Sequence, residues 1–172
     1  KLYVKGIPVM LKVPGEILDT KTEAKTFIKY KTYCKYVTRL IDKLNLRDRI
    51  FWLGPLTAER FAFEMSSSDI FILPSSIENS PNTLLEAMCV GLPSIAADVG
   101  GVTDFITHDK NGYIYRYDDY CLLAFYIEKL INDRNLRISM GNVSKERMNK
   151  RQDRKKIAKS YYDIYTKYSG RL

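Results

Sequence analysis

Two glutamates, Glu78 and Glu86, bracket the segment Asn79-Ser80-Pro81-Asn82-Thr83. A carboxylate accepts hydrogen bonds at two oxygens, so it suits paired sugar hydroxyls, and it repels phosphate. Between the glutamates lie the signals of a helix start. Ser80 is a good N-cap residue, and Pro81 fits the first helical position. Gly91 and Pro93 supply the stop, so a helix is expected from about Pro81 to Val90. Its first amides and the positive end of its dipole would attract a phosphate. Hydroxyl acceptors beside an anion-attracting helix end suit a ligand with both kinds of group, such as a sugar nucleotide. From spacing alone, Glu86 reads also as an ordinary helix-surface residue and Glu78 as a loop charge, and spacing does not decide between these readings.

The elements that must position this segment follow from hydrophobic patterning. Asp69-Ile70-Phe71-Ile72-Leu73 is a nearly continuous apolar run, as in a strand buried on both faces of a parallel sheet. The candidate helix would thus begin at the carboxyl end of such a strand, where open α/β sheets bind ligands. Further strands are expected at Leu2-Tyr3-Val4, Ile50 to Leu53, Pro93 to Ala97 and Tyr113 to Tyr115. Helical patterns run over Thr22 to Leu46, Thr57 to Ser67, Asp119 to Asn132, Asn135 to Asn149 and Arg154 to Tyr168. Residues 7 to 19 hold two prolines and a glycine and read as a loop. Strands alternating with helices give an α/β fold, a Rossmann-like doubly wound parallel sheet with helices on both faces.

Composition narrows the function classes. The 172 residues hold 28 Lys or Arg against 20 Asp or Glu, a formal net charge of +8, and 45% are apolar. That is enough apolar material for one domain and excludes disorder as a whole-chain description. Cys34, Cys89 and Cys121 form no CxxC pair, so neither a zinc site nor a disulfide framework is indicated. A cytoplasmic setting is expected. His108 stands in a polar loop run and receives no role. No GxGxxG turn follows a strand, which speaks against a dinucleotide-dependent oxidoreductase.

Beyond these local readings, a longer match is visible. Glu78, seven residues, Glu86, and then Ala87 to Gly101 resemble the carboxyl-terminal domain of retaining GT-B glycosyltransferases of family 4, the glycosyl transferases group 1. The resemblance extends back through Phe51-Trp52-Leu53-Gly54 and Ser68 to Ser75, and forward through Asn111-Gly112-Tyr113 and Arg137 to Gly141. It implies a nucleotide-sugar donor and a sugar transferred with retention to a saccharide or lipid-linked acceptor. It implies neither a cofactor nor a metal. Carried over by position, Glu78 contacts the hydroxyls of the transferred sugar and is the catalytic candidate, and Glu86 takes the ribose hydroxyls. Asn79, Ser80, Pro81, Asn82 and Thr83 form the loop and helix start beside the sugar and phosphates, and Gly54, Pro55 and Leu56 lie beside the nucleobase.

The sequence departs from the family pattern in places. Asn79-Ser80 replaces a glycine and an aromatic, and Asp104 stands where glutamate is frequent and is read as structural. The family's first strand, with the Arg and Lys that clasp the diphosphate, has no counterpart; Leu2 to Gly6 match the second strand. In the order 3-2-1-4-5-6 the missing strand is central. The chain is therefore expected to be one partial domain of a longer enzyme, inactive alone, whose last helix, about 154 to 168, packs toward an amino-terminal GT-B domain through Tyr161, Ile164, Tyr165 and Tyr168. A non-catalytic nucleotide-sugar-binding or interaction module is the alternative.

The basic stretch Lys145 to Lys159 reads as a solvated helix face, or as a peripheral contact with anionic lipid at the inner face of a membrane. No nucleic-acid motif accompanies it, so nucleic acid is not an expected partner.

Overall fold

The computed structural model describes residues 9–15 and 28–169. The chain divides into two compact units, residues 1–61 and 62–172. The first unit contains β1 (Leu11–Pro14), α1 (Ile28–Lys43) and β2 (Ile50–Gly54), with a 3-10 turn at Arg47–Arg49. β1 and β2 pair in parallel, Leu11 opposite Ile50 and Val13 opposite Trp52, with an irregularity at Val13/Pro14.

The position of β1 corrects the reading of residues 7 to 19 as a loop. Val9-Met10-Leu11-Lys12-Val13 is an apolar run of strand type, and its prolines bound it rather than break it. Pro14 sits in the last strand position, at the irregularity, where the ladder can spare a donor. The strand expected at Leu2-Tyr3-Val4 lies outside the described residues, as does the expected helical stretch before Ile28.

In the second unit, β3 (Phe71–Leu73), β4 (Ser94–Ala97) and β5 (Gly112–Tyr115) form a parallel sheet in the order β3-β4-β5. The same unit holds α3 (Asn82–Val90), α4 (Val102–Phe105), α5 (Tyr120–Asn132), α6 (Arg134–Arg151) and α7 (Arg154–Ser169); α2 (Ala58–Ser66) precedes β3. The described strands thus pair as parallel sheets, β1-β2 in the first unit and β3-β4-β5 in the second, as the expected α/β fold with parallel strands requires.

β4 is the central strand, and all four of its residues are buried. Its alternate side chains enter two cores, as the strand period of two requires. Ala96 packs with Leu73, Leu84, Met88, Val102, Phe105, Ile106 and Met148, on the side of α3. Ile95 and Ala97 pack with Tyr113, Tyr115, Leu130 and Met140, on the side of α5. Helices on both faces explain why β4 reads as an unbroken apolar run.

Asp119 caps α5 through Oδ1, which accepts from the amides of Cys121 and Leu122, and Asp133 caps α6 by accepting from Leu136 N. No helix among the described residues is long and apolar enough to cross a membrane.

Candidate functional site

The helix start expected between the glutamates is present, shifted by one residue. α3 begins at Asn82, and the cap position belongs to Pro81 (φ −73°, ψ 94°), whose carbonyl accepts the amide of Leu85 at 3.2 Å. Ser80 is therefore not the N-cap and Pro81 is not the first helical residue. A proline carries no side-chain acceptor, and no side chain caps the helix. The first amides of α3 are left open to a ligand. Pro81 itself is buried, which anchors the turn, and Leu84, Ala87 and Met88 seat the inner face of the helix with no exposure. Asn82, Thr83 and Glu86 occupy the outer face and are exposed, as the helical spacing of three and four demands.

The far end of α3 stops as expected. Gly91 adopts a left-handed conformation (φ 93°), and the amide of Leu92 returns to the carbonyl of Ala87 at 3.0 Å, a Schellman arrangement.

Glu78 is half-buried in the loop after β3, and Asn79 and Ser80 are exposed. This loop is held from the side by Gly100-Gly101, which follows β4. The amide of Gly101 donates to the carbonyl of Asn79 at 3.0 Å. A Cβ on Gly100 would fall 1.5 Å from the Glu78 carbonyl oxygen, and one on Gly101 would fall 2.4 Å from that of Asn79. Neither position can hold a side chain with this loop in place. The sequence assigns the glycine pair no task; a Gly-Gly dipeptide shortly after a buried strand is the signal of such an approach.

Glu78, Asn79, Ser80, Pro81, Asn82, Thr83 and Glu86 thus gather at the carboxyl end of β3, in the second unit. Gly54, Pro55 and Leu56 belong to the first unit, at the carboxyl end of β2, where Gly54 takes φ 70°. One turn along α3 from Glu86, burial pushes the Cys89 thiol pKa up and the Glu86 carboxylate adds to the rise.

His108, given no role by the sequence, acquires a structural one, and Asp104 has the structural role expected of it. Nδ1 of His108 accepts the amide of Ile114 on β5 at 3.1 Å, and its ring packs edge-on against Tyr113 and Tyr126. Asp104 acts through its main chain: its carbonyl accepts from Arg147 Nη2 at 3.1 Å and from Arg151 Nη1 at 3.0 Å. Those two arginines fasten α6 to the end of α4, and Arg151 also lies 4.6 Å from the centre of the Phe105 ring. Lys150 pairs with Glu146 at 2.6 Å and Lys156 with Asp153 at 4.0 Å. Half of the basic stretch is thereby engaged within the fold.

The glycosyl transferases group 1 family model matches residues 2–147. N-acetyl-alpha-D-glucosaminyl L-malate synthase of Bacillus anthracis is 31% identical over 129 residues, covering 75% of this chain and 33% of the relative. Lipopolysaccharide 1,6-galactosyltransferase of Escherichia coli is 38% identical over 95 residues, covering 52% of this chain and 26% of that enzyme. Among solved structures, Anabaena HepE in complex with UDP superposes with a TM-score of 0.78 at 21% identity, covering 92% of this chain and 41% of that one. The chain spans roughly a tenth to two fifths of the length of the curated relatives it matches. With the family model running through both units and most of the sequence, the chain belongs to the glycosyl transferases group 1 family.

Proposed function

We propose that this chain supplies the donor-binding part of a retaining, metal-independent glycosyltransferase that moves a sugar from a nucleoside diphosphate to a saccharide or lipid-linked acceptor. One observation carries the reading. The N-terminus of α3, bare of any side-chain cap, opens at the carboxyl end of β3, with Glu78 half-buried in the loop before it and Glu86 exposed on its outer face. A sugar nucleotide has the two complementary parts: phosphates for the open amides and hydroxyls for the carboxylates.

In this reading the amides of α3 and its positive dipole end stabilise the diphosphate as it departs. Glu78 accepts hydroxyls of the transferred sugar and orients its reacting carbon, and Glu86 accepts the ribose hydroxyls. Gly54-Pro55-Leu56 borders the base. Uridine is the base we favour, since Anabaena HepE is solved with UDP and with UDP-glucose. The acceptor is assigned to an amino-terminal GT-B domain, against which the exposed Tyr161, Ile164, Tyr165 and Tyr168 of α7 would pack. Lys145, Arg154, Lys155 and Lys159, all exposed, remain for a peripheral contact with anionic lipid.

The experiment is turnover of UDP-sugars by the full-length protein, with the anomeric proton of the product followed by NMR and the assay repeated in EDTA. Transfer with retained configuration, unaffected by chelation, is expected. An inverted product would remove the retaining assignment, loss of activity in EDTA would remove the metal-independent one, and absence of transfer from every nucleotide sugar would favour a non-catalytic binding module.

A further inference from the structure

The loop that carries Glu78 turns two consecutive carbonyls toward one neighbour. The oxygen of Glu78 lies against Gly100 and that of Asn79 against Gly101, whose amide donates to it at 3.0 Å. The described chain has no cis peptide bonds. In a trans peptide the N–H of the next residue points opposite to the carbonyl. The amides of Asn79 and Ser80 are therefore both turned to the side away from the glycine pair. Two successive amides facing one way make a concave donor site for an anion or a polarised oxygen, and this one runs directly into the open amides of α3.

We infer that Gly100 and Gly101 are positioning residues of the donor site: by taking up the Glu78 and Asn79 carbonyls they present the Asn79 and Ser80 amides to the donor and fix the backbone that carries Glu78. The inference rests on the proposed donor-binding reading and adds its geometry. Gly100 is doubly constrained, since its φ of 50° lies in the left-handed region and its missing Cβ leaves the space that the Glu78 carbonyl fills. A methyl group at either position displaces the loop rather than itself, because the atom it meets is backbone.

The test is Gly101→Ala in the full-length protein, with Gly112→Ala as its counterpart. A Cβ on Gly112 would meet the carbonyl oxygen of Ser94 at 2.6 Å, a comparable clash at the amino end of β5, away from the donor loop. Both variants should lose thermal stability. Assayed at a temperature where each is folded, Gly101→Ala should lose at least tenfold in kcat with UDP-sugar while its Kd for UDP changes less than threefold. Gly112→Ala should keep turnover per folded molecule. Equal kcat losses in the two variants, or wild-type kcat in Gly101→Ala, would overturn the inference. Failure of the donor-binding reading itself would show separately, as wild-type protein that binds no UDP.

Discussion

Gly91 and Gly141 meet through their backbones: a Cβ on Gly141 would lie 2.1 Å from the carbonyl oxygen of Gly91 and 3.1 Å from its carbonyl carbon. The contact joins the end of α3 to the middle of α6, so the helix that bears Glu86 is fixed at the end opposite its uncapped N-terminus.

Gly141→Ala should therefore destabilise the fold by about 1–3 kcal/mol, the usual cost of forcing atoms into a packed interior. Chemical denaturation checks this. A wild-type midpoint would mean that α3 and α6 can separate at no cost, and that α3 is not anchored as described.

The capping arrangement makes a paired prediction. Asp119→Ala removes an acceptor for two amides of α5 and should cost about 1 kcal/mol. Ser80→Ala removes no cap from α3 and should leave stability within about 0.3 kcal/mol of wild type. Equal losses from the two would restore Ser80 as the cap.

How far this was legible in the sequence depends on the length scale of each signal. The runs Phe71–Leu73 and Ser94–Ala97, the stop at Gly91 and the helices after Asp119 and Asp133 were readable because local patterning decides them. The one-residue shift from Ser80 to Pro81 was not, since both residues suit a helix start and only the Leu85 amide settles which carbonyl is first. β1 was hidden by its flanking prolines. The docking of Gly100-Gly101 on Glu78 and of Arg147 on Asp104 joins residues far apart in sequence, and no periodicity reports such contacts.

Arg147 and Arg151 share the Asp104 carbonyl as acceptor. Arg147→Ala and Arg151→Ala should each lower stability, by about 1–3 kcal/mol for a hydrogen bond to a charged group. The double variant should lose more than the sum, because each arginine alone can still satisfy the shared carbonyl and the second substitution leaves it without either donor. Strict additivity in a double-mutant cycle would show that the two act independently.

Cys89 offers a reporter on Glu86. Burial and the neighbouring carboxylate both favour the neutral thiol, so its pKa lies above the usual value and alkylation begins at higher pH. Glu86→Gln removes one cause and should move the pH midpoint of Cys89 alkylation down, leaving the burial contribution in place. The same raised value means that stability falls as pH rises past the unfolded thiol's pKa and levels off above the folded one. An unmoved midpoint in Glu86→Gln would show that the carboxylate does not face the thiol.

The most direct test of the account is calorimetric titration of the full-length protein with UDP, beside its Glu86→Ala variant. Binding by the wild type, weakened about tenfold or more in the variant as expected for the loss of hydrogen bonds to a charged acceptor, is the predicted result. Equal affinity for UDP in the two proteins would contradict the assignment of Glu86 to the ribose, and no binding by a folded wild-type protein would contradict the uridine donor site at the start of α3.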